Sequence, residues 1–303
     1  MRFSLFTLTT VALLAAASSC SSDDDFEVWR EGNLEQVKTQ VEAFPNKNDI
    51  NNIVYGGDQD EFQTTALDLA VYGNTADVVA YLLEQGADPN RLTAQAQPLL
   101  VLATLYNPDP RVTSLLIEYG IDVDQRDEDG NSALQQALTN KVDAEIVAAL
   151  LKAGLPPVAP TFSYVKDYGD SALLFAIGDD CKPSVAQVLI DAGADLEHRN
   201  KEGETALLVA AHYSHRPAVI KLLLDAGANL EATTADKKTA LMLAVEHSVN
   251  PLVLDALLDA GADVQAEDRS GRRAMDCVQV EGFSNILDSK AYERLRDATE
   301  IKK

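Results

Sequence analysis

One glycine recurs along the chain at a nearly constant spacing, and the residues around it recur with it. The segment Leu222–Gly227, which ends in Leu-Asp-Ala-Gly, shows the pattern best. The step between copies is 34 residues four times and 39 residues once. Such a period indicates a tandem array of identical supersecondary units. The closing glycines are Gly86, Gly120, Gly154, Gly193, Gly227 and Gly261.

Each unit contains the signals of two helices. A hydroxyl residue precedes a short apolar run, as at Thr205, and its oxygen can cap the first turn of a helix, here called helix A. A second apolar stripe follows, as in Val219–Leu223, with the spacing of a helix that buries one face, helix B. Helix B is predicted to end at the recurrent glycine, because a left-handed cap favours a residue without Cβ.

These signals, found in register, resemble ankyrin repeats. The resemblance implies an all-α solenoid of helix–turn–helix units joined by β-hairpin loops, with capping units at both ends. The usual Thr-Pro-Leu-His tetrapeptide is incomplete, since its histidine is replaced throughout, for example by Gln135 and Leu208, and its proline survives only as Pro98. The predicted organisation is a capping repeat over 26–58, six repeats over 59–267, and a capping repeat with a helix over 268–303.

The first residues carry a different signal. Arg2 precedes an apolar stretch that ends at Ala17, shorter than the about 20 residues that span a bilayer. Residues 1–19 are therefore predicted to be a signal peptide. The sequence up to Cys20 resembles a bacterial lipobox, which implies that Cys20 is acylated; the alternative is an ordinary signal peptide with an incidental cysteine.

The segment after Cys20 bears on location. Residues 20–25 form an acidic tether, and Ser21 directly after the cysteine favours the outer membrane over the inner one by analogy with bacterial lipoproteins. The expected location is the cell envelope, lipid-anchored and facing the periplasm. The acidic run Ser22–Glu27 also resembles a surface-export tag, although a solvated tether explains it equally well.

The charge of the chain restricts its partners. The formal net charge is −23, and the acidic excess lies before Arg269, since eight Lys or Arg and six Asp or Glu follow from that residue onward. A negative field of this size repels nucleic acid and anionic head groups. We therefore expect no nucleic-acid ligand, membrane contact only through the lipid, and a basic protein partner. The alternative is that the acidity only keeps a monomeric stack soluble.

The resemblance also implies where a partner binds. Ankyrin proteins use the concave side formed by the hairpin tips and the ends of the A helices, which we call the tip surface. Here aromatic residues lie among acids, a composition that suits a basic protein. The candidate residues are Tyr72, Glu128, Asp129, Asn131, Asp170, Glu202, Glu204, His212, Tyr213, Asp236, Glu246 and His247.

The longest step between glycines contains a proline-rich and aromatic segment. Three prolines and three aromatic residues occupy positions 155–168, and the aromatics have no evident place in a repeat core. Phe162, Tyr164 and Tyr168 are predicted to form a partner-binding finger. Alternatively, Phe162 and Tyr164 fold back over a neighbouring repeat.

Sequence signals for chemistry are weak. His212, His215 and His247 fall at nearby repeat positions, which makes a surface metal site geometrically feasible, but no helical ligand pair or supporting cysteine accompanies them. No nucleophile elbow, zincin motif or phosphate-binding glycine loop occurs. We therefore expect no cofactor, no metal and no enzymatic activity.

The predicted function is a non-enzymatic protein-binding scaffold anchored to the bacterial envelope. Two alternatives remain open. The first is an immunity protein that neutralises a secreted envelope-targeting toxin, because an acidic surface would suit a basic toxin. The second is an accessory protein that supports a periplasmic stress-defence enzyme.

Overall fold

The chain folds into stacked helix pairs. A computed structural model describes residues 28–43, 50–51, 53–55, 64–90, 97–107, 109–155, 171–178, 181–213, 216–247, 250–278 and 289–301. The described residues form two compact units, one up to Leu155 and one from Pro156 onward. Within each unit the predicted all-α architecture of helix–turn–helix repeats is confirmed.

The first unit begins with a single helical turn over 28–31 and a small antiparallel hairpin. Its strands are β1 (Ile53–Tyr55) and β2 (Thr64–Thr65). Trp29, Val37 and Ile50 from this N-terminal segment are buried. The described helices of the unit are α1 (Leu34–Glu42), α2 (Ala66–Gly73), α3 (Ala76–Glu84), α4 (Leu99–Tyr106), α5 (Pro110–Glu118), α6 (Ala133–Thr139) and α7 (Ala144–Lys152).

The second unit continues the same pattern of pairs. Its last repeat is followed by a short 3-10 helix, Ala274–Cys277, in place of a full helix A. The described α-helices are α8 (Ala172–Gly178), α9 (Pro183–Asp191), α10 (Ala206–Tyr213), α11 (Pro217–Asp225), α12 (Ala240–His247), α13 (Pro251–Asp259) and α14 (Lys290–Ile301).

The two kinds of helix are buried differently because they occupy different layers. An A helix packs against the A helices of both neighbouring repeats, as α10 does against α8 and α12, so Ala206–Ala211 is buried without a break. A B helix buries one stripe, which in α11 is Val219, Ile220 and Leu223. No repeat could bury these surfaces alone, and stacking supplies the missing partner.

Most described A helices that follow a hydroxyl residue show the predicted capping chemistry. Thr65 and Ser132 each complete a capping box with the residue three positions later, Asp68 and Gln135 respectively. The closing glycines all have positive φ, between 79° and 101°, which confirms the predicted left-handed caps. Thr205 departs from the prediction, because its buried hydroxyl oxygen has no hydrogen-bond partner.

Buried asparagines tie consecutive repeats of the first unit together. Asn107 Nδ2 donates to the carbonyls of Val71 (2.8 Å) and Asn74 (2.9 Å) in the preceding repeat. Asn74 Nδ2 donates in turn to the carbonyls of Trp29 and Gly32. These bonds satisfy carbonyls at the ends of A helices, which the helix itself leaves without partners.

The C-terminal helix covers the last B helix. Ala291 and Leu295 of α14 are buried, whereas most of the other described side chains of the helix are not. Arg294 pairs with Asp255 and Asp259 on α13. A polar outer face of this kind is what the end of a repeat stack requires.

Candidate partner-binding surface

Four described hairpins share one rigid geometry. In each hairpin, one side chain accepts a hydrogen bond from the backbone amide of the residue four positions later. The pairs are Asp127 and Asn131, Asn200 and Glu204, Thr234 and Lys238, and Asp268 and Arg272. A backbone bond between the same two residues closes each loop. The tips are therefore held in a fixed shape before any partner arrives.

The middle of each hairpin is exposed and mostly charged. Glu128 and Asp129 occupy this place in the first unit; in the second unit Glu202 shares it with Lys201, and Asp236 occupies it in the next hairpin. Arg269 from the last hairpin lies 3.4 Å from Asp236, so part of that carboxylate's charge is already matched. The sequence prediction that acids populate the hairpin tips thus agrees with their exposure.

In two repeats of the second unit, the last residue of the hairpin contacts a residue near the C-terminal end of the helix A that follows. His212 Nδ1 lies 3.0 Å from Glu204 Oε1, and Lys238 forms an ion pair with Glu246. An ionised carboxylate can only accept hydrogen bonds, so Nδ1 of His212 carries the proton in this contact. Each pair joins the hairpin to the far end of its own A helix.

Three rings are in contact at the boundary between these repeats, with His212 stacked on Tyr213 and tilted against His247. The His212 and Tyr213 ring centroids are 3.9 Å apart, and those of His212 and His247 are 4.3 Å apart. We call this set of three side chains the ring shelf. It stays accessible, with Tyr213 39% exposed and the side chain of His247 37% exposed.

The carboxylate behind the ring shelf is held in its charged form. Burial alone would raise the pKa of Glu204, but hydrogen bonds from His212 and Asn200 outweigh it and leave that pKa below its usual value. Glu204 is only 4% exposed, with Asn200 Nδ2 3.0 Å from its Oε2. In this structure Glu204 holds His212 in position. Its part in partner binding stays a prediction.

His247 is biased toward its neutral form. Burial lowers the pKa of this imidazole, and the nearby His212 lowers it further, while Glu246 opposes both effects. Glu246 Oε2 lies 3.5 Å from His247 Nε2. Near neutral pH the ring shelf therefore presents a neutral His247 ring beside ionised carboxylates.

The first unit has its own aromatic pair. The Tyr72 and Tyr106 rings, from the ends of α2 and α4, stack with centroids 4.9 Å apart. The sequence analysis identified Tyr72 but not Tyr106. Tyr106 lies at the end of the next A helix, so the repeat register is the signal that identifies it. Asn131 is half-buried, and its side-chain amide donates a hydrogen bond to Asp127 within the hairpin.

The register also places Lys238 at a hairpin tip, in the position that Glu204 holds one repeat earlier. Asn200 is buried and supports Glu204 from within the hairpin, a role that the sequence did not reveal. Several predicted residues lie outside the described residues and keep their status as predictions. These are Cys20, Phe162, Tyr164, Tyr168, Asp170 and His215.

Two kinds of site are missing from the described part of the chain. No group of three or more His, Cys, Asp or Glu side chains there is arranged to hold a metal ion. Among the same residues, no helix combines the length and the apolar character needed to cross a membrane. Cys277 is buried and Cys181 is half-buried, and neither belongs to a disulfide.

Comparison with known families covers most of the repeats. The family model described as Ankyrin repeats (3 copies) matches residues 100–200 and 173–268, and the one described as Ankyrin repeat matches 63–94. Together these ranges exceed half of the chain. Alpha-latrocrustotoxin-Lt1a of Latrodectus tredecimguttatus is 34% identical over 95 residues, which are 31% of this chain and 7% of the toxin. The matched part is thus a small fraction of that relative.

Solved structures show the same fold. The human ASB11 ankyrin repeat domain superposes with a TM-score of 0.56 at 22% identity, over 74% of this chain and 96% of that one. The ankyrin repeat domain of Bcl-3, a member of the IkappaB protein family, superposes with a TM-score of 0.54 at 23% identity. The match covers 75% of this chain and 99% of that one. The fold expected from the closing glycines and helix caps is thereby confirmed.

Proposed function

Since the chain belongs to the ankyrin-repeat family, we propose that it is a non-enzymatic, monomeric scaffold that binds a basic protein through its tip surface. Ankyrin repeats generally act as protein-interaction scaffolds. The observation that carries the proposal is the set of exposed carboxylates on rigid hairpins, next to accessible stacked rings. Rings of this kind supply affinity at interfaces, and surrounding charges raise the rate of encounter.

The rigid tips support this role energetically. Ordering a loop on binding costs free energy, and a loop that is already ordered avoids that cost. In the second unit, Arg199 donates to the carbonyl of Thr233 (2.8 Å) and Arg269 donates to that of Ala235 (2.9 Å), so neighbouring tips are also tied to each other. Exposed Glu202 and Asp236 are thus presented at fixed positions.

We further propose that acylation of Cys20 anchors the protein in a bacterial envelope, in the outer membrane and facing the periplasm. The lipobox-like sequence before Cys20 and the polar segment after it support this part of the proposal. One acyl chain binds a membrane only marginally, whereas two or more give stable anchoring. The scaffold would then meet its partner beside the membrane.

The test compares two charge-reversed proteins of equal net charge. The tip variant carries Glu128→Lys, Asp129→Lys and Glu202→Lys, and the control carries Glu84→Lys, Glu118→Lys and Asp225→Lys at exposed C-terminal ends of B helices. Lysine is favourable at a helix C-terminus, so the control should fold normally. Both are used to capture proteins from an envelope extract, followed by mass spectrometry and association kinetics.

The tip variant should lose the partner or bind it at least about tenfold more slowly, with a weaker dependence on salt, because steering by complementary charge is removed. The control should behave as the unmodified protein does. Equal behaviour of the two variants would contradict a binding role for the tips. The captured protein also separates the alternatives, since a secreted toxin would indicate immunity and an envelope enzyme would indicate accessory support.

A further inference from the structure

The ring shelf of His212, Tyr213 and His247 combines features that recognise one particular side chain. We propose that it docks an arginine of the basic partner, and that protonation of His247 releases that arginine. This inference deepens the proposed function and rests on it. It is carried by the contacts among the three rings, their exposure and the carboxylates beside them.

The first argument is geometric. A guanidinium group is planar and stacks on the faces of aromatic rings, where the ring quadrupole attracts its charge. The His212 ring contacts both Tyr213 (3.9 Å, stacked) and His247 (4.3 Å, tilted), so the three rings form one cluster that spans two repeats. The exposed rings of that cluster, Tyr213 and His247, are the ones that a guanidinium can reach. Lysine fits such a surface less well, because its ammonium is a compact and strongly hydrated point charge.

The second argument is the charge around the ring shelf. Glu202 and Glu204 lie on the hairpin before α10, and Glu246 lies on α12 beside His247. Lys238 offsets Glu246 through its ion pair. Arg272, from the next hairpin, is paired mainly with Asp268.

Lys201, on the same hairpin as Glu202, offsets the charge of that carboxylate. Among the charged groups shown beside the rings themselves, the two carboxylates of Glu204 and Glu246 face one ammonium, that of Lys238. The described part of α8, which packs against α10 on the other side, has no ionisable side chain. The local field thus favours one additional positive group, which an arginine of the partner would supply.

Protonation reverses this preference. A proton gained by His247 adds a positive charge directly on the surface that the guanidinium would occupy. Histidine changes charge near pH 6.5, and the pKa of His247 lies below its ordinary value because of burial and the neighbouring His212. Arginine binding should therefore be complete above about pH 6.5 and weaken as the pH falls below that.

The direct test uses a small probe in place of the unidentified partner. N-acetyl-L-argininamide is titrated into the protein at pH 7.5 and 5.5, while NMR follows the imidazole Cε1–H signals of His212 and His247. N-acetyl-L-citrullinamide, a neutral analogue of similar shape, is the control ligand. We expect saturable shifts with the arginine compound at pH 7.5, binding that is weaker by a few-fold at pH 5.5, and no specific shift with citrulline.

Two variants locate the effect. His247→Gln removes one accessible ring and should abolish the response to the arginine compound. His198→Gln removes a histidine outside the ring shelf and should leave that response unchanged. Equal shifts with citrulline, an unaltered response in His247→Gln, or equal affinity at both pH values would each overturn the inference.

The outcomes separate this inference from the function on which it rests. If the arginine compound does not bind while charge reversal at the tips still prevents partner capture, the arginine site is wrong and the scaffold function stands. If the compound binds as expected but reversal at the tips changes nothing, the site stands and the proposed binding role of the tips falls.

Discussion

Lys237 holds a backbone conformation that the equivalent hairpins assign to glycine. Its φ is 59°, while Gly130, Gly203 and Gly271 have φ between 75° and 80° at the same hairpin position. A side chain with Cβ is strained there, because Cβ approaches the neighbouring carbonyl oxygen. The side chain of Lys237 is exposed, so little packing compensates for this strain.

Lys237→Gly should therefore stabilise the protein. The gain should be about 1 kcal/mol, reduced somewhat by the greater freedom of glycine in the unfolded chain. Urea unfolding measures it, with Ala235→Gly in the same hairpin as the control, because Ala235 has negative φ and its replacement should cost roughly 0.5–1 kcal/mol. A loss of stability in Lys237→Gly would show that the lysine makes contacts that outweigh its strain.

At the scale of the helix pair, one asparagine position has two different roles. Asn107 and Asn140 each follow an A helix of the first unit, but Asn107 is buried and Asn140 is exposed. Asn107 donates to two carbonyls of the preceding repeat, whereas Asn140 donates to the carbonyl of Gln136 in its own helix. The side chain of Asn107 therefore joins two repeats, whereas that of Asn140 bonds only within its own repeat.

Asn107→Ala should destabilise the first unit by about 1–3 kcal/mol, because two buried carbonyls lose a hydrogen-bond donor. Asn140→Ala is the matched control and should change stability by less than about 0.5 kcal/mol, as is usual at exposed positions. Hydrogen exchange of the amides in α2 and α4 reports the change locally. Equal effects of the two substitutions would mean that the inter-repeat bonds of Asn107 contribute nothing specific.

How far the sequence predicts these elements depends on whether a signal is local. The left-handed cap at Gly227 and the capping box of Thr65 and Asp68 involve residues within one turn, so spacing alone revealed the helix ends. The burial of Glu204 could not be predicted in the same way. It depends on His212 eight residues later and on Asn200 four residues earlier, which meet only after the hairpin and helix have packed.

The ring shelf illustrates the same limit between repeats. His212 and His247 were both identified as ends of A helices, but the sequence gives no angle between one repeat and the next. Their 4.3 Å contact follows from how closely α10 and α12 pack. Tyr106 is different, because it ends an A helix in the same register as Tyr72 and a local signal therefore does identify it.

At the scale of the whole molecule, the formal charge of −23 bears on how the protein is held in place. An acidic protein is repelled by anionic head groups, so its charge supplies no attraction to a membrane surface. Only an apolar attachment can then keep it there, and each buried CH₂ of an acyl chain contributes about 0.8 kcal/mol. Cys20 is the residue to which the lipobox-like sequence assigns that attachment.

Cys20→Ser should release the protein from the membrane, because serine cannot take the thioether-linked lipid of a lipoprotein cysteine. The unmodified protein should sediment with membranes and enter the detergent-rich phase in Triton X-114 partitioning, whereas Cys20→Ser should stay in the aqueous phase. Cys181→Ser is the control and should partition as the unmodified protein does. Mass spectrometry of the mature N-terminus checks the chemistry directly, and an unmodified Cys20 in a membrane-bound protein would mean that another contact holds it there.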